Sequence, residues 1–326
     1  MSRPSALVRI LAAAVAAASL ATPALADVGF RVLNIPDPSG AQIEVGVWYP
    51  TDAAAKPTPF GLASQTVAAG APFKGERLPL VVMSHGNGGF FGSHYDTAIA
   101  LAEAGFVAAA LTHTGDNYRD QSRATDMPNR PRQLSLLVDH MLGAWPEKDR
   151  LDPARVGAFG FSSGGFTVLA AAGAVADPTR LGRHCGAHPE YFDCALIRAS
   201  GPPKAWAQTT PDRRLKVIVS AAPAIGYAFT EASLKTLTMP IQLWQAEHDR
   251  VLPKPLYVEP VRAGLPTPPE FHFVKGADHF DFLPACAPEA VARAAAICTP
   301  TPGFDRSAFH VELNREVVRF FREKLR

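Results

Sequence analysis

The sequence predicts an α/β protein: a doubly wound, mostly parallel sheet with an N-terminal antiparallel hairpin and a small cap insertion. Three observations point there. Two adjacent segments with strand-like alternation read as a hairpin. Beyond them, continuous apolar runs of the kind found in strands covered on both faces alternate with segments of helical period. One of these runs, Val156 to Phe161, enters the turn Gly160-Phe161-Ser162-Ser163-Gly164 and leaves as the small-residue helix Phe166 to Ala172. That is the sequence of a strand feeding a helix through a sharp corner, with a serine at its tip.

Ahead of the hairpin, Arg3 and Arg9 precede an apolar Ala/Val/Leu core and then Ala24-Leu25-Ala26. This is the pattern of a secretory signal cleaved after residue 26. The uncharged run from Ile10 ends at Thr22-Pro23, which is marginal for a bilayer span, and no other segment is longer or more apolar. Export to the periplasm or the exterior is therefore expected, with no stable membrane span. The chain carries 32 basic and 30 acidic side chains, and the leader holds two of the arginines and no acid. A near-neutral mature surface argues against nucleic-acid binding. With 47% hydrophobic residues and no repeat or low-complexity linker, residues 27–326 read as one domain around one large core.

Along that domain, Phe30 to Ile35 and Gln42 to Tyr49 form the hairpin, and a Pro/Ala/Gly-rich loop is expected from Thr51 to Arg77. Leu78 to Ser84 is a buried strand, Ser93 to Ala104 a helix closed by Gly105, and Phe106 to Thr112 a second buried strand. Leu134, Leu137, Met141 and Trp145 recur at helical spacing before the turn Leu151-Asp152-Pro153 and the elbow strand. Residues 177–214 lose periodicity and gather Pro, Arg and His, as a cap would. Strands resume at Leu215 to Ser220, Pro240 to Gln245 and Glu270 to Val274. Residues 307–325 close the chain as a helix with Leu313, Val317, Phe320 and Phe321 on its buried stripe.

The four cysteines form two close pairs in an exported chain, where disulfides are permitted. Local closure favours Cys185 with Cys194 and Cys286 with Cys298. A rival reading assembles His184, Cys185, His188 and Cys194 as a zinc site, although the spacing matches no standard ligand pattern.

Four motifs, Ser84-His85-Gly86-Asn87-Gly88-Gly89, Gly160-Phe161-Ser162-Ser163-Gly164-Gly165, Glu247-His248-Asp249 and Asp278-His279-Phe280, give the chain its likeness. It resembles the α/β-hydrolase family, and within it predicted dienelactone hydrolases and platelet-activating-factor acetylhydrolase-like serine esterases. The resemblance implies Ser162 as nucleophile, His279 as its base and Asp249 as the acid that orients the base, in the chain order Ser, Asp, His. Glu247 remains the alternative acid, since a longer side chain from the same loop reaches a similar place. Relatives of the acetylhydrolase type place the acid after the preceding strand. Here that strand runs into Ala221-Ala222-Pro223-Ala224-Ile225-Gly226, which offers no carboxylate. Dienelactone hydrolases use a cysteine where this chain has Ser162, which favours ordinary ester hydrolysis. The oxyanion is expected on the backbone N–H groups of Asn87 and Ser163.

His85 is read as a structural residue of its loop. His113, at a strand end near the same edge, either lines the pocket or is a satisfied loop histidine. No phosphate loop, dinucleotide fingerprint or His-Glu-x-x-His is present, so neither a cofactor nor a metal is expected. The expected function is a secreted or periplasmic serine hydrolase acting on a small-molecule or lipid-like carboxylic ester through an acyl-enzyme. The alternatives are an amidase or other acyl-transfer enzyme, and a non-catalytic binding protein on the same fold. Acyl and alcohol specificity and oligomeric state lie in loops and surfaces that sequence patterning does not read.

Overall fold

The structure is a computed structural model that describes residues 27–202 and 210–326. The expected leader, residues 1–26, lies outside the described residues. Strands β1 (Asp27–Pro36) and β2 (Gln42–Thr51) pair antiparallel along their whole length, from Asp27 opposite Thr51 to Pro36 opposite Gln42. The turn between them holds because the Asp37 carboxylate accepts the Ser39 N–H at 2.9 Å and Gly40 takes a φ of 92°.

The stretch expected as a loop from Thr51 to Arg77 contains two more strands. β3 (Lys56–Phe60) and β4 (Ala63–Ala69) form an antiparallel pair, and β4 joins β1 in parallel through Gly29–Ala68 and Phe30–Ala69. Pro57 and Pro59 disguise β3, because proline is excluded from central strands but tolerated on an edge. Phe60 fastens it: its ring lies 5.6 Å from Phe30, 6.1 Å from Trp48 and 5.7 Å from Phe91.

The central strands follow the expected pattern. β5 (Leu78–Ser84), helix α1 (Tyr95–Glu103), β6 (Val107–Leu111), α2 (Asn129–Gly143), β7 (Leu151–Phe161) and α3 (Ser163–Ala172) come in order. The turn expected at Leu151-Asp152-Pro153 is instead the extended start of β7, which shifts register against β5 between Leu78 and Leu80. Continuous apolar runs are required because helices cover both faces. Leu80 and Val82 face one core with Leu134, Leu137 and Phe166, whereas Val81 and Met83 face the other with Phe159, Phe161 and Phe321.

The cap is not aperiodic. It folds into α4 (Pro178–Ala187) and α5 (Phe192–Ser200), with residues 203–209 outside the described set. Asp177 caps α4 by accepting the Thr179 N–H at 2.8 Å, and Pro178 occupies the first turn, where its missing N–H costs nothing. The chain then supplies β8 (Leu215–Ala221), α6 (Glu231–Leu234), β9 (Ile241–Ala246), α7 (Val258–Gly264), β10 (Glu270–Val274), α8 (Ala295–Cys298) and α9 (Arg306–Lys324). Leu313, Val317, Phe320 and Phe321 of α9 are buried as their spacing predicts. Each such side chain contributes about 1.5–3 kcal/mol by leaving water. α9 lies close because β7 has Gly157, where a Cβ would come within 2.5 Å of the Phe321 ring.

The sheet order is β10-β9-β8-β7-β5-β6-β2-β1-β4-β3. From β5 the chain steps outward to β6, then returns across to β7 and winds the other way to β10. The order therefore reverses between β5 and β7, and the carboxyl ends of those two strands open a crevice there, where ligands of doubly wound sheets bind.

Candidate active site

Both strands flanking the crevice end in a site motif: β5 in Ser84-His85-Gly86-Asn87 and β7 in Ser162. Ser162 adopts φ 56° and ψ −119°, a backbone that side chains other than glycine rarely take. The corner closes so tightly that a Cβ on Gly160 would stand 2.0 Å from the Gly164 carbonyl oxygen, and one on Gly164 would stand 1.9 Å from that of Ser84. Both positions must be glycine. The corner is tied to its neighbour by Ser162 N–H to the Ala221 carbonyl at 2.9 Å and Ala224 N–H to the Ser162 carbonyl at 3.0 Å. Strain of this kind persists only where surrounding bonds over-determine it.

The structure brings Ser162, His279 and Asp249 together. His279 Nε2 lies 3.1 Å from Ser162 Oγ, and His279 Nδ1 lies 2.8 Å from Asp249 Oδ2. With Nδ1–H donated to the carboxylate, Nε2 is left to accept the hydroxyl proton. All three residues are buried. The other Asp249 oxygen accepts the backbone N–H groups of Val251 at 3.0 Å and Leu252 at 2.6 Å, which orients the carboxylate. The Phe161 ring, 4.8 Å from the imidazole, packs against it. Asp278 does not touch the imidazole side chain: it accepts the N–H of His279 at 2.7 Å and of Arg250 at 2.9 Å, holding the base-bearing loop to the acid loop. Glu247 turns away from His279 and accepts the Gly276 N–H at 2.8 Å, a bond that holds its carboxyl below the usual range.

Two hollows meet at Ser162. One, of about 550 Å³, is lined by Asn87, Phe90, Tyr118, Phe161, His279 and Phe280 among others. The second, of about 40 Å³, lies under the cap between Ser163, Met127, Leu181, Leu196, Ile197 and Ile225. Asn87 lines the wide cleft and Ser163 the narrow one, and Ser162 lines both. Ser163 is also the first residue of α3, where the helix dipole favours an anion.

His113 does not line either hollow. It is fully buried, with Nε2 2.8 Å from Ser84 Oγ and Nδ1 2.9 Å from Gln133 Oε1. His85 Nε2 accepts the His113 N–H at 3.0 Å, and its Nδ1 lies 2.6 Å from the Gly86 carbonyl oxygen, so it braces its loop. Burial first, and the nearby Arg130 charge second, push both imidazoles well below the ordinary histidine pKa.

The cysteines pair as Cys185–Cys194 and Cys286–Cys298. Among the described residues the zinc reading fails, because a disulfide consumes the thiolates it needs. His184 instead stacks on Tyr227 with ring centres 3.8 Å apart and meets the Tyr257 hydroxyl at 3.1 Å. Asp193 accepts the Tyr227 hydroxyl at 2.6 Å and the Tyr257 hydroxyl at 2.9 Å, anchoring the cap to the body. Sequence reasoning also passed over Asp116, Arg130 and Thr167. Only the placement of Asp116 in the loop that follows β6 hinted at a part in the site.

Comparison with known proteins adds the following. The family profile for platelet-activating factor acetylhydrolase, isoform II, matches residues 57–130, from β3 into α2 and across the Asn87 loop. A ferulic acid esterase from Streptomyces cinnamoneus superposes with a TM-score of 0.60 at 19% identity, covering 94% of this chain and 92% of its own. A dienelactone hydrolase from Anabaena variabilis superposes with a TM-score of 0.53 at 14% identity, covering 91% of this chain and 98% of its own. No curated protein matches the chain. With a parallel sheet that reverses between β5 and β7, an antiparallel hairpin on its N-terminal flank and these neighbours, the chain is an α/β-hydrolase by fold.

Proposed function

We propose that this chain is an exported serine hydrolase that cleaves carboxylic esters through an acyl-enzyme. The observation that carries the reading is the relay Ser162 Oγ, His279 Nε2, His279 Nδ1, Asp249 Oδ2, with spacings of 3.1 and 2.8 Å, built on a strained turn at the switch point. Ser162 Oγ attacks the carbonyl carbon while His279 Nε2 takes its proton. The developing oxyanion is held by the N–H groups of Asn87 and Ser163. His279 then hands the proton to the leaving alcohol oxygen, and water repeats the sequence to release the acid. Because His279 lines the wide cleft, the alcohol leaves on that side and the acyl group sits in the narrow cavity. Similarity in fold to esterases and the partial match to an acetylhydrolase family support an ester as substrate. Two disulfides, which persist in oxidising compartments, support an exported enzyme.

A fluorophosphonate probe followed by peptide mapping tests the reading. One label per chain on Ser162 is expected, and Ser162→Ala should abolish both labelling and p-nitrophenyl acetate hydrolysis, leaving less than about one part in 10³ of kcat. Label on another residue, or a few per cent of residual rate, would dismiss Ser162 as nucleophile.

A further inference from the structure

The proposed oxyanion donors belong to different elements: Asn87 to the loop after β5, Ser163 to the start of α3. A buried ion pair bridges those elements. Asp116 Oδ1 accepts the Asn87 side-chain amide at 2.7 Å and the Gly88 N–H at 3.0 Å. Its Oδ2 accepts Arg130 Nη1 at 2.5 Å. Arg130 Nη2 donates to the His85 carbonyl oxygen, and Arg130 Nε donates to Thr167 Oγ1 at 3.0 Å. The one proton of that hydroxyl goes to the Ser163 carbonyl oxygen at 2.6 Å. Arg130 and Asp116 are both 2% exposed.

Resting on the esterase reading above, we propose that Arg130, paired with Asp116, is a positioning residue that sets the spacing between the two oxyanion donors. The planar guanidinium suits this task. Its fork donates in three fixed directions, to the Asp116 carboxylate, the exit loop of β5 and Thr167 of α3, whereas a lysine ammonium is a point charge on a flexible stem. Stability is a weak reason for such a pair, since an apolar replacement of a buried ion pair is often neutral or stabilising. Preorganisation is a stronger one: donors fixed before reaction need no rearrangement as charge develops, and a displacement of even 1 Å is costly. The neighbouring imidazoles already have hydrogen bonds, His85 with Gly86 and His113, and His113 with Ser84 and Gln133. They fix the loop's floor, and Arg130 adds a hydrogen-bonded link from that loop to α3.

The test compares wild type, Arg130→Lys, Asp116→Asn and Thr167→Val in p-nitrophenyl acetate kinetics, in inhibition by an aryl trifluoromethyl ketone, whose hemiketal mimics the oxyanion, and in thermal unfolding. Folded Arg130→Lys and Asp116→Asn should lose about 10- to 100-fold in kcat, part of the 10²–10³ of a lost donor, with KM within about twofold. The ketone Ki should rise by the same factor, since a transition-state mimic follows transition-state stabilisation. Thr167→Val cuts only the link to α3 and should show the same pattern at about three- to tenfold; it decides the matter if the charge variants do not fold. Folded variants with unchanged kcat, with a raised KM alone, or with a Ki that does not follow kcat would overturn the proposal. Wild type that fails to label at Ser162 defeats the esterase reading itself, whereas labelled Ser162 with unaffected variants defeats only the bridge.

Discussion

The carboxylates of Glu247 and Asp249 stand two residues apart on one loop and serve different partners. Asp249 meets His279 Nδ1 at 2.8 Å, and Glu247 meets the Gly276 N–H at 2.8 Å. Only the first sets an imidazole tautomer. Asp249→Asn should therefore lower kcat by about 10³- to 10⁴-fold. Glu247→Gln keeps an acceptor for Gly276 and should stay within about threefold of wild type. Steady-state rates with one activated ester decide between them, and the opposite ranking would transfer the role to Glu247.

The narrow cavity should limit the acyl group. Wild type is expected to prefer p-nitrophenyl acetate over the hexanoate and octanoate, because methylenes without room must displace packed side chains. Leu181→Ala enlarges the wall next to Ser163 and should move the optimum toward butyrate or hexanoate, each accommodated methylene being worth roughly tenfold or more in kcat/KM. A flat acyl-length profile, or one that Leu181→Ala does not shift, would place the acyl group elsewhere.

The two disulfides should act on different arms of the substrate. Cys185–Cys194 joins α4 to α5, which wall the narrow cavity, whereas Cys286–Cys298 fixes the segment that brings Ile297 to the wide cleft. Each closes a loop of about ten residues, and opening it should cost about 2–3 kcal/mol of stability. Replacing the first pair by serines should broaden acyl-length selectivity. Replacing the second should raise KM for 1-naphthyl acetate more than for methyl acetate. Non-reducing peptide maps verify the pairing, and any cross-link between the two pairs would sink the assignment.

Acid should unfold the protein above the range of its carboxylates. Burial, partly offset by the Asp96 charge, holds the His94 pKa at about 4, and His85 and His113 are displaced the same way. A buried neutral imidazole binds its proton in the unfolded chain first. Its stabilisation is therefore complete above about pH 6.5 and is lost as pH falls toward 4, at up to about 1.4 kcal/mol per pH unit and group. Carboxylates held low, such as Asp278, lose their share only below about pH 4. Urea midpoints between pH 7 and 5 should fall steeply, and His94→Leu should flatten the slope by about one group's share. A midpoint independent of pH across this window would contradict the buried neutral state.

Much of this was legible because local chemistry and global fold agree. Leu78 to Ser84 and Val156 to Phe161 announce doubly covered strands, and the Gly160, Ser162, Gly164 spacing announces a corner whose geometry admits nothing larger. The chain order of Ser162, Asp249 and His279 matches the family the chain resembles, and the three side chains do meet in space; local loop closure favours the cysteine pairs that form. What escaped has a common cause: it depends on partners distant in sequence. β3 reads as a loop until β4 pairs with it and Phe60 finds the Trp48 cluster. α5 becomes intelligible only when Asp193 meets Tyr227 and Tyr257, 34 and 64 residues away. Arg130 looks like an ordinary helix-start cation, and its role arises from bonds to Asp116, His85 and Thr167.

The prolines of β3 have a consequence for how copies of this protein meet. β3 is the outermost strand on the N-terminal flank, and a bare strand edge is a template on which another chain can add and aggregate. Pro57 and Pro59 lie on alternate residues, so the two missing N–H groups belong to the same side of the strand; because β4 holds the other side, that side faces outward. A ladder started there would lack consecutive donors. That edge of the sheet is thereby closed to extension by a second chain.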